Sequence, residues 1–557
     1  MVSSTIDVQP TDFQEIDQSI ERLKKGKERL QKLPLAERIG LVEACIPRVE
    51  DLADEWVEAA CSAKQIPTGD KARAEEILAG PMTTLRYLRL MENSLGSIEK
   101  FQHPTVPGRV RNVNGKLRVP VFPTKILFDS LLFGPLKAEV RLTTNDPQKI
   151  FNSDVDNVES TSASAAVALV LGAGNVSAIP ATDALTKILQ ENRAVLVKMN
   201  PVNEYLGSIF ERIFSPLIEA DLLQIVYGGA EVGKFCVNHA DIDEVHITGS
   251  NQSHDAIVWG PERRPDSKPI LQKPITSELG NVTPWIIVPG EYSDSQLHFQ
   301  AETIAASISN NASFNCIATK LILTSADWKQ RDKFLDLLQA TLDSIPKRFA
   351  YYPGAVDRYQ KFSGNPEPVD EGKKLPWTLL RNVDPKSRPE LFNEESFVCV
   401  TAEKPIRAES DVQFLERAVE FVNERVWGTL AVALTVPNKF QKKEELSLNE
   451  AIDKLRYGTV AINVWPGIAY GLMSPPWGGY PHSDLANVQS GIGHVHNTYM
   501  LANPEKTVLY SSITVKPKPV WFSTHSNPEE IAWKLLQLYS KPSLMKLPAL
   551  LYKAIKG

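Results

Sequence analysis

The most regular pattern of apolar and polar positions lies between residues 165 and 330. Short apolar runs alternate there with segments in which apolar residues recur at helical spacing. The run 165–171 is continuously apolar, which is typical of a strand covered on both faces, and a turn and a helical pattern follow it. Similar runs recur at 194–198, 223–227 and 282–289. This alternation predicts βαβ units, and therefore a parallel sheet with helices on both faces.

Both ends of the chain carry helical patterns. Apolar residues at Ile16, Ile20, Leu23 and Leu30 form one stripe and predict a helix from about 13 to 33. A second amphipathic pattern covers 35–63, with Pro47 as a possible break. The last thirty residues are also predicted to be helical, interrupted by Pro542 and Pro548, and we expect them to dock on the protein.

Composition excludes several classes of protein. Among 557 residues, 61 are Lys or Arg and 67 are Asp or Glu, so no global basic field attracts nucleic acid. The five cysteines are widely scattered, which is typical of free thiols in a reducing compartment and predicts a cytoplasmic protein. No Cys-x-x-Cys pair is present, so no metal site is predicted. The most apolar run, 165–174, is about half as long as a membrane-spanning helix, and we expect no transmembrane segment.

Polar residues follow the ends of three predicted strands, at Gly174-Asn175, at 198–201 and at 248–250. Ligands bind outside the carboxyl ends of strands in open α/β sheets, so these loops predict one cleft. For each loop alone, ordinary turn chemistry is the better explanation, and it is their coincidence in one βα series that favours a cleft. The classical Gly-x-Gly-x-x-Gly fingerprint fails, because Ser177 stands where its third glycine would be.

Cys316 is the cysteine whose surroundings suggest chemistry. A lone cysteine is most often a small buried hydrophobic residue, but Cys316 follows a run rich in Asn and Ser over 309–315. Glu278 precedes it by 38 positions. A carboxylate near a thiol can act as its base or can activate a water molecule.

In this order the motifs resemble those of the aldehyde dehydrogenase superfamily, over roughly residues 165 to 485. The late segments 427–430 and 476–480 resemble the glycine loops of that family, whereas Asn281 and Val282 depart from its usual Gly-Lys after Glu-Leu-Gly. The resemblance implies catalytic roles for Cys316 as nucleophile, Glu278 as general base and Asn175 in the oxyanion site. It implies cofactor-binding roles for Lys198, Gly228, Gly249, Ser250, Glu395 and Phe397, the last two from a Glu-x-Phe motif.

The fold that the resemblance implies is α/β and aldehyde dehydrogenase-like, with a parallel-sheet cofactor domain, an α/β catalytic domain and an oligomerisation extension. We expect a flexible tail over 1–18, a cofactor-binding domain over 19–280 with an irregular segment at 102–160, a catalytic domain over 281–500 and a C-terminal extension over 501–557. A homo-oligomer is expected, with the strand-like segments 136–142 and 506–515 pairing across subunits.

The reaction implied is oxidation of an aldehyde with NAD or NADP. The thiol attacks the carbonyl carbon, hydride leaves, and the resulting thioester is released by water as an acid. An alternative is an acyl-CoA or fatty-acyl reductase, with an acyl thioester as substrate and coenzyme A as partner, because 172–180 and 198–205 have local similarity to that branch. A second alternative is a non-catalytic binding protein on the same fold. Pro201 stands where the family often has a ribose-binding glutamate, so we expect NADP to be tolerated.

Overall fold

The computed structural model describes residues 8–125, 128–152, 165–261, 263, 267–365 and 373–555. The α-helices are α1 (Phe13–Lys32), α2 (Leu35–Ala63), α3 (Arg73–Ile77), α4 (Thr83–Phe101), α5 (Asp129–Leu132), α6 (Ile179–Leu189), α7 (Gly207–Ile213), α8 (Ser215–Glu219), α9 (Ala230–Asn238), α10 (Asn251–Trp259), α11 (Asp294–Ser309), α12 (Arg331–Ser344), α13 (Ala355–Ser363), α14 (Glu390–Asn393), α15 (Asp411–Arg425), α16 (Asn438–Lys443), α17 (Glu445–Lys454), α18 (Gly467–Leu472), α19 (Pro528–Ser540) and α20 (Leu547–Ile555). The strands are β1 (Arg111–Val113), β2 (Lys116–Phe122), β3 (Lys137–Leu142), β4 (Ala166–Leu171), β5 (Arg193–Lys198), β6 (Leu223–Val226), β7 (Glu244–Gly249), β8 (Ile275–Leu279), β9 (Pro284–Ile287), β10 (Leu321–Ser325), β11 (Arg348–Phe349), β12 (Lys374–Leu375), β13 (Thr378–Leu380), β14 (Val400–Ile406), β15 (Ala431–Thr435), β16 (Thr459–Ile462), β17 (Pro476–Trp477), β18 (Gly491–Ile492), β19 (Val495–His496) and β20 (Pro504–Tyr510).

The first large sheet has the strand order β18-β8-β7-β4-β5-β6. Strands β8, β7, β4, β5 and β6 are parallel, and β18 joins β8 in the antiparallel sense. The predicted parallel sheet with helices between its strands is therefore confirmed. The strand order reverses at β4, and a crevice for ligands forms at the carboxyl ends of the strands at such a point.

The second large sheet has the order β1-β2-β3-β20-β16-β15-β9-β10-β14-β13. Its strands from β20 to β13 are parallel, and β1, β2 and β3 extend it as an antiparallel edge. The domain boundary that we placed after residue 280 falls between β8, in the first sheet, and β9, at the centre of the second. Strands β1 to β3, which the sequence placed in the cofactor-binding domain, belong to the second sheet instead.

The segments predicted to pair across subunits pair with each other in one chain. β3 and β20 are antiparallel neighbours, with Val140 opposite Thr507 and Ala138 opposite Leu509. The other edge of β20 is bonded to β16, so both edges of this strand are already used. The proposed route of association was wrong for that reason, and the homo-oligomer itself stays a prediction.

The N-terminal helices also differ from their prediction. Asp12 caps α1, and Ile16 is fully buried in a cluster with apolar side chains of β4 and β5, so residues 13–18 are not a flexible tail. Helix α2 runs through Pro47 without ending, because Cys45, Ile46 and Val49 are buried around it and stabilise the helix against the lost backbone bond. Residues 1–7 lie outside the described part of the chain.

Strand β8 is one element that the hydrophobic pattern missed. Three of the five residues in Ile275–Leu279 are polar, so apolar periodicity does not indicate a strand there. The strand is formed by pairing with β7 on one side and β18 on the other.

At the C-terminus, α19 and α20 form on either side of Pro542, as predicted, and α19 packs against α2, α3 and α4. The predicted break at Pro548 was wrong, because this proline is the second residue of α20, where the first turn of a helix tolerates it. Among the helices of the described residues, none is both long and apolar enough to cross a membrane.

Candidate active site

Cys316 lies between α11 and β10, after a strained turn. Asn311, Ala312 and Ser313 have φ values of 51°, 53° and 71°, a conformation that non-glycine residues adopt at a cost. The turn is fixed from outside, since the backbone N–H of Asn311 donates to Glu75 (2.9 Å) and the ammonium of Lys320 donates to the hydroxyl of Ser313 (2.8 Å). This turn holds the thiol in a defined position, and strain stored in this way is common at functional sites.

Glu278 in β8 and Cys316 in the loop before β10 lie side by side, and each acts on the pKa of the other. Burial raises the pKa of the Glu278 carboxyl to about 8, since a charge is poorly solvated at this depth. Burial, together with the facing carboxylates of Glu278 and Glu395, also raises the pKa of the Cys316 thiol well above its usual value. Oε1 of Glu278 is buried without a hydrogen-bond partner among the described residues. The pair thus provides a nucleophile and a base with a pKa near neutrality.

Asn175 is the third predicted catalytic residue, and its position is fixed from both ends. Its side-chain Nδ2 donates to the carbonyl oxygen of Phe314 (2.9 Å), two residues before Cys316. Its own carbonyl oxygen accepts from Lys64 Nζ (3.1 Å), Asn311 Nδ2 (2.9 Å) and Tyr351 Oη (3.0 Å). The amide therefore lies beside the nucleophile turn in a rigid setting.

Two cavities meet at these three residues. The first, which we call the sheet-edge cavity, has a volume of about 1020 Å³ and lies along the carboxyl ends of β4, β5, β7 and β8. The second, the apolar cavity, has a volume of about 450 Å³ and approaches Cys316 from the side of α4 and α18. Asn175, Ile179, Glu278 and Cys316 line both cavities. The thiol can therefore contact molecules that enter from two directions.

The sheet-edge cavity brings together most of the residues predicted to bind a cofactor. Lys198, Gly249, Ser250, Glu395 and Phe397 all line it. The side chain of Ser250 caps α10 by accepting from Ser253 N (3.1 Å), and burial lowers the pKa of the Lys198 ammonium. No group of three or more His, Cys, Asp or Glu in the described ranges is placed to hold a metal ion.

Gly228 is the predicted cofactor-binding residue that does not line the sheet-edge cavity. It has a φ of 131°, and a Cβ at this position would meet Val232 and Pro10 rather than open space. The neighbouring Gly229, which precedes α9, lines the cavity instead. The structure thus places Gly228 in a turn that packs on α9, where glycine is needed for its backbone conformation.

Glu395 lies at the junction of the two domains. Its Oε1 accepts from the backbone N–H of Asn281 (3.2 Å), and a Cβ at Gly280 would collide with its carboxylate. Burial raises the pKa of Glu395 to about 7, and that of the nearby Lys320 is lowered to about 8. Phe397 packs against Phe314 and Tyr352, so this motif supports the nucleophile turn as well as the cavity wall.

Sequence reasoning missed the residues that support the site from outside the motifs. Lys64 is buried at the end of α2 and is hydrogen-bonded to Glu76 (2.8 Å) as well as to Asn311 (2.9 Å). Arg348 pairs with Glu75 at 3.2 Å. The available signal was weak: charged residues cluster in 70–76, but no spacing rule links them to a turn more than two hundred positions away.

Comparison with known proteins relates part of the chain to one family. Residues 147–348 match the model of the aldehyde dehydrogenase family. The chain contains an aldehyde dehydrogenase family domain. Aminoaldehyde dehydrogenase 2 from Solanum lycopersicum is 24% identical over 302 residues, which are 50% of this chain and 54% of that protein. The chain thus aligns with about half the length of that curated relative.

Solved structures extend the fold beyond the family domain. An indole-3-acetaldehyde dehydrogenase complexed with NAD⁺ has a TM-score of 0.61 at 16% identity, over 91% of this chain and 90% of its own. The glyceraldehyde-3-phosphate dehydrogenase GapN from Methanocaldococcus jannaschii, complexed with NADP, has a TM-score of 0.59 at 15% identity, over 91% and 96%. The aldehyde dehydrogenase fold therefore covers about nine-tenths of the chain, and the predicted α/β fold is confirmed.

Proposed function

We propose that this protein oxidises an aldehyde to the carboxylic acid, with NAD or NADP as the hydride acceptor and a thioester on Cys316 as the intermediate. The observation that carries this proposal is the placing of the Cys316 thiol beside the Glu278 carboxyl at the meeting point of two cavities. One cavity is suited to a cofactor and the other to the carbonyl compound, and the thiol faces both.

The residues of the sheet-edge cavity fit a dinucleotide. Gly229 and Ser250 precede α9 and α10 and line the cavity, and backbone N–H groups at helix N-termini favour a pyrophosphate. Lys198 supplies a cation at the end of β5, and Glu395 supplies a carboxylate for a ribose hydroxyl. A nicotinamide bound there supplies the acceptor for hydride. In the structural neighbours named above, NAD⁺ or NADP is the bound cofactor, which supports this assignment.

In the first step the sulfur of Cys316 bonds to the carbonyl carbon, and the carbonyl oxygen takes the negative charge. Glu278 lies beside the thiol and accepts its proton during the attack. The Nδ2 group of Asn175 and the backbone N–H of Cys316 stabilise the oxyanion. Two electrons then leave the carbon with hydride, and the carbonyl reforms as a thioester.

In the second step water releases the acid. Glu278 first releases to solvent the proton that it took from the thiol. The carboxylate then takes a proton from water, hydroxide adds to the thioester carbon, and the C–S bond breaks to return the thiolate. A base with a pKa of about 8 serves this step well, because it is partly ionised at neutral pH and binds the proton strongly. A carboxyl beside the thiol supports release by water over release by coenzyme A, since a thiol acceptor needs less help from a base.

An absorbance assay tests the proposal directly. Purified protein is mixed with NAD or NADP and a set of aldehydes, with and without coenzyme A, and the reduced-nicotinamide band is followed. We expect reduction without coenzyme A and a free acid as the product. A signal that requires coenzyme A would favour the reductase alternative. No signal with any aldehyde, while NAD binds, would favour the non-catalytic alternative.

A further inference from the structure

The apolar cavity is built largely by a part of the chain outside the family domain. Beyond residue 500, the side chains of Val520, Trp521, Phe522, Leu535 and Tyr539 line it. The last two come from α19, which is held in place by its packing on α2, α3 and α4. The C-terminal segment therefore forms one wall of the space in front of Cys316.

The opposite wall is also apolar. It consists of Met82, Ile179, Ile468, Leu472, Trp465 and Trp477. Trp465 is fixed by a hydrogen bond from its Nε1 to the carbonyl oxygen of Ile317 (2.9 Å), next to the nucleophile. Aliphatic and aromatic side chains thus face the cavity from both sides.

Most of the charged residues deep in the lining are paired within the protein. Arg86 forms two hydrogen bonds of 2.8 Å with Asp129, and both residues are buried. Glu75 is paired with Arg348. Lys71 is exposed and Asp70 is half-buried, so the cavity opens to solvent on that side.

We infer that the substrate is an aldehyde with an apolar acyl chain, and that α19 and the segment before it determine chain-length specificity. This inference rests on the proposed role of Cys316 as the nucleophile. A cavity of about 450 Å³ lies in the normal range for small-molecule sites, and it holds an alkyl chain that reaches from Cys316 towards the mouth. Each methylene buried there raises kcat/KM about fourfold.

The first experiment measures kcat/KM for straight-chain aldehydes from propanal to dodecanal. We expect a steep rise with chain length, to a maximum within the series, followed by a fall once the cavity is full. Decanal should exceed propanal by at least a hundredfold. Equal values for propanal and decanal would overturn the inference while leaving aldehyde oxidation intact.

A pair of variants shows where the chain is bound. Ile468→Trp fills the apolar cavity, and we expect the decanal-to-propanal ratio of kcat/KM to fall at least tenfold. Val520→Trp narrows the cavity from the C-terminal wall and should lower the same ratio. Leu446→Trp is the matched control, since Leu446 is 80% exposed on α17 and does not line the cavity. A ratio that is unchanged in both cavity variants would contradict the assigned position.

A binding measurement separates this inference from the proposed function. Cys316→Ala is titrated with decanamide and propanamide by calorimetry, which needs no turnover. Tight decanamide binding that is lost in Cys316→Ala/Ile468→Trp supports the cavity even if no aldehyde is oxidised, and the proposed function alone would then fail. Absence of decanamide binding to folded protein would overturn the cavity assignment.

Discussion

The ammonium group of Lys64 lies 3.1 Å from the carbonyl oxygen of Asn175, although the two residues are 111 positions apart. Through this contact the end of α2 supports the amide that faces the nucleophile turn. Glu76 and Asn311 complete the surroundings of Lys64, so the buried cation has several partners. The N-terminal helices are therefore part of the support for the active site.

Tyr351→Phe tests this support with little disturbance of packing. It removes the hydroxyl that donates to the Asn175 carbonyl (3.0 Å) and to Oδ1 of Asn311 (2.9 Å), and it leaves the ring in place. We expect kcat to fall about two- to tenfold, the effect of one lost hydroxyl donor, while the cofactor KM stays the same. Tyr359→Phe is the control, because its hydroxyl bonds Thr378 away from the site (2.8 Å). Equal kcat values in the two variants would show that Asn175 needs no such support.

Cys316→Ala is expected to abolish hydride transfer, because no other group next to Glu278 can form the covalent intermediate. Stopped-flow absorbance with NAD and decanal measures the loss. Cys45→Ala is the matched control, since Cys45 is buried in α2 and should retain turnover. Turnover in Cys316→Ala at the level of the unmodified protein would refute the mechanism.

Glu278→Gln separates the two chemical steps. Without the carboxylate, water attack on the thioester should slow by about 10²–10⁴-fold. We expect a burst of reduced cofactor equal to the enzyme concentration, followed by slow turnover, with a thioester visible by mass spectrometry. If coenzyme A restored full turnover, the thioester would have a second natural acceptor, and the reductase alternative would gain support.

The raised pKa of Glu278 also predicts a pH-dependent stability. The unfolded carboxyl ionises near its usual value of about 4.5, whereas the folded one stays neutral until pH rises towards about 8. Wild-type stability should therefore fall between these pH values, because only the unfolded state releases the proton. The free energy of unfolding of Glu278→Gln, relative to that of wild type, should rise by about 1 to 4 kcal/mol between pH 5 and pH 8. Urea unfolding at both pH values measures the difference, and a constant difference would mean that Glu278 is ionised in the folded protein.

Pro201 bears on the choice between NAD and NADP. It is exposed just after β5, in the loop that carries Lys198 and Asn200 to the sheet-edge cavity. We expect Kd values for NADP and NAD within about tenfold of each other, since no carboxylate at 201 repels the 2′-phosphate. Pro201→Glu should raise the Kd for NADP at least tenfold and leave the Kd for NAD nearly unchanged. Calorimetry measures both, and strong rejection of NADP by the unmodified chain would contradict this.

Much of the first sheet was predictable because the runs that form its central strands are largely apolar and its helices are short and periodic. The predicted runs at 165–171 and 194–198 match β4 (Ala166–Leu171) and β5 (Arg193–Lys198) to within one residue. Strand β8 was not predictable in this way, since its polar residues are held by neighbours on both sides. The pairing of β3 with β20 depends on contacts between distant segments, which no local pattern contains.

The residues of the site likewise divide into those that the sequence predicted and those that it did not. Cys316, Glu278 and Asn175 stand in short motifs, and the structure brings them together at the meeting point of the two cavities. Lys64 and Tyr351 stand in no motif and reach Asn175 through long-range hydrogen bonds. The wall from α19 escaped detection because apolar residues in a terminal helix look the same whether they pack on protein or line a cavity.

The place of β20 between β3 and β16 sets an order on the assembly of the second sheet during synthesis. β16 ends at Ile462 and β3 at Leu142, yet the strand that joins them begins at Pro504. Until residues 504–510 have been synthesised, both strands present an unpaired edge, and such edges are prone to association with other chains. The second sheet therefore cannot close between β3 and β16 before β20 leaves the ribosome.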